Sequence, residues 1–389
     1  MTTSEAWELD AEHEEFRASV RAFVDRQVRP VVEEAEEKGR PPATLLTAMG
    51  SAGLLGLAVP EEYGGGAGDS LAIVVLSEEL ARASGGIAVT ALVTGYMSTP
   101  HIAKFGTDEQ RARYLPGLVA GEKVASIAVT EPGTGSNVGG LTSRATPVDG
   151  GFVLNGTKMF ITNAGLADVL VVAARTSPDG HRGITTFIVD ADNPGLSLGQ
   201  PLRKLGWHGS DTREVILSDC FVPTEAILGE RDRGFYQIMS AFQLERLSLA
   251  GMGIGHAAEC LAAATAYAAE RDVFGVPLIS KQAIRHRLAA MSVELEAAQL
   301  LTYRAAARMD AGHPGAEASV ARAKYHAAIA ACHIVDECVQ LFGGSGFLEE
   351  TPVARHYRDV RVLRIGGGTD EIQLEILAKD LPASPARPV

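Results

Sequence analysis

The periodicity of the chain changes twice, and this limits the possible folds more than any single residue does. Residues 12–37, 41–55, 69–83, 86–104 and 108–119 carry apolar side chains at the spacing of helices buried on one side. From about Glu122 this gives way to short β-rich runs at 125–130, 141–147, 152–154, 159–162, 169–173, 183–189 and 214–217. Turns such as Val148-Asp149-Gly150-Gly151 and Ser177-Pro178-Asp179-Gly180 separate them, a pattern that suits a small antiparallel sheet or barrel. After about Gly234 the helical period returns over 235–272, 281–311 and 316–341, and a last helix is expected at 370–381. Long helices joined by short Gly/Pro breaks describe a bundle. The fold class is therefore α+β: a helical domain over residues 1–121, an antiparallel β domain over 122–233 and a helical bundle over 234–389.

A chain of 389 residues exceeds what one hydrophobic core usually supports, which agrees with this division. Its net charge of -13 argues against general affinity for nucleic acid or anionic membranes. The cysteines Cys220, Cys260, Cys332 and Cys338 form no CxxC pair and lack metal-like histidine spacing, so neither disulfides nor a metal site is expected. The acidic start lacks a signal-peptide pattern, and the apolar runs near 54–60 and 87–93 are short and broken by glycine. These features predict a soluble cytoplasmic protein without a membrane-spanning segment.

Within the bundle, Ile238, Phe242, Glu245, Leu249 and Met252 recur at heptad spacing, which places one carboxylate on an otherwise apolar helix face. Arg246 is next in sequence and points elsewhere on a helix. A desolvated carboxylate has its pKa raised and becomes a usable base near neutral pH. A buried structural glutamate satisfies the pattern equally well.

No GxGxxG joins a strand to a helix, so a Rossmann nucleotide site is not expected. Other segments are more telling: Val129-Thr130-Glu131-Pro132-Gly133-Thr134-Gly135-Ser136-Asn137, Asn155-Gly156-Thr157-Lys158-Met159-Phe160-Ile161-Thr162-Asn163, Arg271-Asp272-Val273-Phe274-Gly275 with Gln282, Gln340-Leu341-Phe342-Gly343-Gly344-Ser345-Gly346-Phe347, and Ile365-Gly366-Gly367-Gly368-Thr369-Asp370-Glu371-Ile372. In order and spacing, from about Asp10 to Leu381, they resemble the acyl-CoA dehydrogenase family.

The resemblance implies FAD lying between a middle β domain and a C-terminal four-helix bundle, in a homotetramer or homodimer. Ile127, Val129, Thr130 and Ser136 would lie along the flavin, as would Phe160 and Thr162. Arg271, Phe274, Gln282, Gln340 and Gly344 match positions that hold the adenine and pyrophosphate across a subunit interface. Thr369 and Glu371 would meet the cofactor at the start of the last helix. Ser136, Tyr96, Arg246 and Gly367 would face the acyl thioester, with Tyr96 and Met97 setting the pocket size. The family's reaction takes a proton from the carbon α to the thioester, passes the β-hydride to flavin N5 and leaves a trans-2-enoyl thioester.

Many members carry the base as Ile-x-Glu-Gly-Thr, but Gly367 stands at that glutamate's place here. Branches resembling isovaleryl- and long-chain acyl-CoA dehydrogenases have glycine there and a glutamate in a Leu-Glu-Arg-Leu context, which Leu244-Glu245-Arg246-Leu247 matches. Glu245 is accordingly the expected catalytic base. The implied partners are an acyl-CoA or acyl-carrier-protein substrate and an electron-transfer flavoprotein. An oxidase or monooxygenase of the same fold, and a non-catalytic FAD- or acyl-CoA-binding homologue, are the alternatives. Asn137 and His208 stand where many relatives have Asp and Arg, and His101 and His208 are read as structural.

Overall fold

Proline sets where the first helices bend. The computed structural model describes residues 9–381. It opens with α1 (Ala11–Phe23), a π-turn at Val24–Val28, a short 3-10 turn at Arg29–Val31 and α2 (Val32–Lys38). The expected single helix over 12–37 is interrupted because Pro30 lacks an N–H and its ring blocks the preceding turn. After α3 (Ala43–Ser51) and α4 (Ser70–Ala83) the same happens again. A π-turn at Val93–Ser98 divides α5 (Gly85–Leu92) from α6 (Thr99–Phe105), ahead of Pro100. In α7 (Asp108–Val119) a capping box, Thr107 with Gln110, fixes the start.

The β region comprises β1 (Ala125–Ala128), β2 (Arg144–Val148), β3 (Gly151–Thr162), β4 (Val169–Arg175), β5 (Ile184–Asp190), β6 (Leu196–Leu198), β7 (Thr212–Pro223) and β8 (Ile227–Leu228). They form an eight-stranded sheet in the order β6-β7-β3-β2-β4-β5-β8, with β1 parallel to β4. Its pairing is otherwise mainly antiparallel. The runs expected at 152–154 and 159–162 are one strand. Asn155-Gly156 does not turn the chain: Gly156 stays in the ladder at φ 152°, and register shifts follow Leu154 and Lys158. Leu154, Leu170, Val172, Phe187, Val215 and Leu217 make the core against this sheet.

Long helices follow: α8 (Gly234–Glu270), α9 (Gln282–Asp310) and α10 (Ala316–Phe342), then α11 (Pro352–Val360) and α12 (Asp370–Asp380). The Gly/Pro break at 272–277 holds a hairpin of β9 (Asp272–Val273) and β10 (Val276–Pro277). The chain separates into two compact units, one of residues up to Val20, Val74–Gly85 and from Arg246 on, the other of Arg21–Ile73 and Gly86–Glu245. By length and hydropathy alone, α8 and the segment Ala316–Phe347 are long and apolar enough to cross a bilayer, contrary to expectation. In α8, however, 72% of the apolar window is buried within the protein, as in a bundle's core helix.

The bundle unit buries a charged cluster. Arg17 Nη2 donates to Glu78 Oε2 (2.8 Å) and to the Tyr303 hydroxyl (2.7 Å), while Glu78 Oε1 has no partner. Burial pushes Glu78 up to about 7, against the pull of Arg17. The folded value lies above the ordinary 4.5, so this contribution is fully present below pH 4.5 and is lost as pH rises through 7. Its size is about 3 kcal/mol. Denaturant unfolding at a series of pH values should therefore show Glu78→Gln losing the decline in stability that the parent shows across this window. Parallel profiles for the two proteins would contradict it.

Candidate active site

The first two motifs meet through a buried ion pair. Glu131 follows β1 and Lys158 lies in β3, 4% and 0% exposed. The Glu131 carboxylate accepts from Lys158 Nζ (2.8 Å), Thr142 N (2.6 Å), Thr142 Oγ1 (2.7 Å) and Ser143 N (2.9 Å). Burial pushes its carboxyl up, but the Lys158 ammonium and these hydrogen bonds outweigh burial and hold it at about 2. Lys158 Nζ also donates to the Val129 carbonyl (3.1 Å), and Met159 N donates to the Thr130 carbonyl (2.8 Å). Ser126 Oγ closes the link by donating to the Thr162 carbonyl. Ile127, Val129, Thr130, Phe160 and Thr162 therefore belong to one braced surface.

Phe160 stands at the register shift after Lys158 with φ 60° and is 65% exposed. A left-handed backbone is costly for a side chain that cannot hydrogen-bond locally, and such strain collects at ligand clamps. An exposed ring on strained backbone, in the same braced surface as Thr130 and Thr162, fits a planar aromatic ligand such as a flavin. Ser136 is further along the loop and lines a cavity of about 470 Å³ with Asn137, Gly140, His181, Phe235 and Met239. The rings of His181 and Phe235 lie 5.2 Å apart at its wall.

In the bundle unit, Phe274 and Gly275 form the tip of the β9–β10 hairpin at φ 54° and 79°, the signs of a type I′ turn. Asparagine or glycine suits that place; Phe274 is instead 95% exposed. Tyr267 stacks on Phe342 with centroids 4.4 Å apart, which ties the end of α8 to the end of α10. Arg271 lies just beyond one of these ends, and Gln340 and Gly344 flank the other, all exposed; Gln282 opens α9 and is exposed too.

The Gly366–Gly368 loop enters α12. Thr369 caps that helix by accepting from Ile372 N, and Asp370 and Glu371 fill its first turn. The Glu371 carboxyl is held below its ordinary value by its own N–H, then by Thr369. The positive end of the α12 dipole thus already serves two acids as well as any phosphate. Gly367 and Gly368 are left-handed, at φ 64° and 93°. Arg246, 5% exposed, donates from Nε to the Gly367 carbonyl (3.2 Å), so the residue after Glu245 ties α8 to the loop.

Glu245 itself is half-buried in α8, in a stripe whose Ile238, Leu249 and Met252 are fully buried. Tyr96 lies within the π-turn at Val93–Ser98, 1% exposed, and its hydroxyl donates to the Leu54 carbonyl (2.6 Å). Met97 is buried beside it. His208 Nε2 lies 3.0 Å from the Lys204 carbonyl. Burial lowers His101 to about 4 and keeps it neutral. Among the described residues no group of three His, Cys, Asp or Glu side chains is placed to hold a metal.

The N-terminal, middle and C-terminal domain models of acyl-CoA dehydrogenases match residues 10–122, 126–220 and 232–381. The chain belongs to the acyl-CoA dehydrogenase family. A 3-(aryl)acrylate reductase of Clostridium sporogenes is 38% identical over 95% of this chain and 98% of its own length. The butyryl-CoA dehydrogenase structure from Megasphaera elsdenii superposes with TM-score 0.92 at 36% identity, over 96% of this chain and 98% of that one. A glutaryl-CoA dehydrogenase from Mycobacterium smegmatis, solved with FADH2, gives 0.91 at 31% identity, over 99% and 98%. Members of this family are oxidoreductases, and their flavin implies a flavin here.

Sequence reasoning missed the brace beneath the family motifs. Lys158 shares strand parity with the inward-facing Phe152 and Leu154, so a lysine at an inward position was the available signal. Lys324 sits likewise in the buried stripe of Val320, Ala327, Ala328 and Ala331 on α10. The cavity walls His181 and Phe235 carried no comparable signal.

Proposed function

We propose that the chain is an FAD-dependent acyl-CoA dehydrogenase whose base is Glu245. The observation that carries this reading is a substitution in the loop: the usual glutamate position is Gly367, left-handed and bound by Arg246, while Glu245 stands next to that arginine in the Leu-Glu-Arg-Leu context. Ile127, Val129, Thr130, Ser136, Phe160 and Thr162 would hold the flavin. Arg271, Phe274, Gln282, Gln340 and Gly344 would serve the nucleotide half of a cofactor shared with a second copy, and Thr369 and Glu371 would border it. FAD supplies, when bound, the acceptor for the β-hydride. Glu245 removes the α-proton, and N–H groups of the Gly366–Gly368 loop stabilise charge on the thioester oxygen. Ser136 and the cavity behind it would take the CoA arm, and Tyr96 would bound the acyl chain from beneath. An electron-transfer flavoprotein is the proposed oxidant of the reduced enzyme.

The test is steady-state turnover of the flavin-loaded protein with acyl-CoA and an electron-transfer flavoprotein, following the 2-enoyl product. Turnover with O₂ and stoichiometric peroxide would replace this reading by an oxidase. A second reading runs the same residues toward reduction, and the similarity to a 3-(aryl)acrylate reductase favours it. Faster turnover of a 2-enoyl substrate with a reduced donor would select it.

A further inference from the structure

We propose that Arg175 is a positioning residue for the arm that carries the thioester, because its guanidinium fastens together the two loops that wall the Ser136 cavity. The inference rests on the reading that this cavity takes the CoA arm. Arg175 Nε donates to the Leu141 carbonyl (3.0 Å) and Nη2 to the Gly139 carbonyl (2.8 Å). From the same side chain, Nη1 donates to the carbonyls of Gly180 (2.7 Å) and Ser177 (3.4 Å). One loop follows β1 and holds Ser136; the other joins β4 to β5 and holds His181.

The two loops supply most of the cavity wall. Ser136, Asn137, Gly139 and Gly140 line it from one and His181 from the other, while Phe235 and Met239 complete it from α8. The loops touch: a Cβ built at Gly139 would lie 3.3 Å from the Cβ of His181. All these residues belong to one compact unit, as does Glu245. Met239 and Phe235 precede Glu245 by six and ten residues on α8, about 9 and 15 Å along the helix axis. From a thioester at Glu245, the long arm of an acyl-CoA spans that distance, and a thioester cut off at its first amide does not.

The end of β4 does not need this side chain to hold its place. Arg175 N donates to the Ser143 carbonyl (2.8 Å), and the residue pairs with Ile184 of β5, so the sheet already fixes its backbone. Every acceptor of the guanidinium is a main-chain carbonyl, and among the described residues it has no carboxylate partner. The charge therefore strengthens hydrogen bonds to the loops instead of forming an ion pair. A planar fork of N–H groups meets several carbonyls at once, which an ammonium on a flexible stem holds less firmly. Loops ordered before a ligand arrives bind it with a smaller loss of entropy.

The test compares Arg175→Gln and Arg175→Lys with the parent, in the flavin-loaded full chain. Each is assayed with an acyl-CoA and with the N-acetylcysteamine thioester of the same acid, which lacks the arm beyond its first amide. In Arg175→Gln, KM for the acyl-CoA should rise about tenfold with kcat within about threefold, the pattern of lost uniform binding. For the truncated thioester, kcat/KM should stay within about threefold of the parent, so the variant loses most of the preference for CoA. Arg175→Lys should fall between. Hydrogen–deuterium exchange without any ligand should be faster in Arg175→Gln for peptides covering both loops, residues 136–142 and 177–183.

Equal losses on the two substrates would mark a merely structural role and overturn the proposal, as would parental values on both. If Arg175→Gln does not fold, Arg175→Lys carries the test, and a parental preference for CoA in that variant would overturn the proposal. A parent that turns over neither thioester removes the functional reading and the inference with it. An active parent with no preference for the acyl-CoA over the truncated thioester removes the inference alone.

Discussion

Glu245→Gln should keep its flavin and bind acyl-CoA, yet reduce that flavin slower by about three orders of magnitude or more. The substitution is isosteric and retains hydrogen-bonding capacity, but an amide cannot take the α-proton at neutral pH. Glu245→Asp should fall between, because withdrawing the carboxylate by one methylene misplaces the base by about 1 Å, worth on the order of 10²-fold. Moving the base back, Glu245→Gly with Gly367→Glu, should restore only part of the rate and shift the chain-length preference. Position 367 is left-handed at φ 64°, so a side chain there carries about 1–2 kcal/mol of strain or displaces the loop. Stopped-flow bleaching of the flavin band reads all of these variants. Near-parental reduction in Glu245→Gln would remove the assignment of the base.

Lys158→Met should be the most destabilising of the single changes considered. It leaves the Glu131 carboxylate buried with its ammonium gone, and breaking a buried pair from one side costs about 3–5 kcal/mol. The same lysine holds the Val129 carbonyl, so the variant should also release FAD more readily. Lys158→Met with Glu131→Leu should recover much of the stability, because the pair is then replaced by apolar packing and no lone charge. The sign with pH follows from Glu131: its folded value of about 2 lies below the ordinary 4.5, so its contribution is present above pH 4.5 and drains as pH falls through 2. Urea denaturation around the double-mutant cycle measures the coupling. A loss below about 1 kcal/mol in Lys158→Met would show that the pair contributes little.

The three-part order of the fold was legible because period alone separates helix from strand. Its interruptions were harder to read. Pro30 and Pro100 were visible, but whether a proline ends a helix or is absorbed by a π-turn depends on the tertiary support around it. The runs at 152–154 and 159–162 read locally as two strands, and only pairing with β7 joins them through Asn155-Gly156 into one. Glu245 announced itself by its place in an apolar stripe. Arg246, more deeply buried than Glu245, did not, since the carbonyl it donates to lies more than a hundred residues away. Lys158 and Lys324 differ from Arg246 in being visible as cations at inward positions of the pattern, but the acceptors that justify them are not.

Dehydrogenation of an acyl thioester by a base carried on α8 is the activity proposed for this chain. Anaerobic mixing of the flavin-loaded protein with a panel of straight and branched acyl-CoA esters, watched at the flavin absorbance band, tests it most directly. Rapid bleaching by at least one chain length is expected, with formation of the 2-enoyl thioester and no comparable bleaching in Glu245→Gln. A flavin that stays oxidised with every ester in the panel would contradict it.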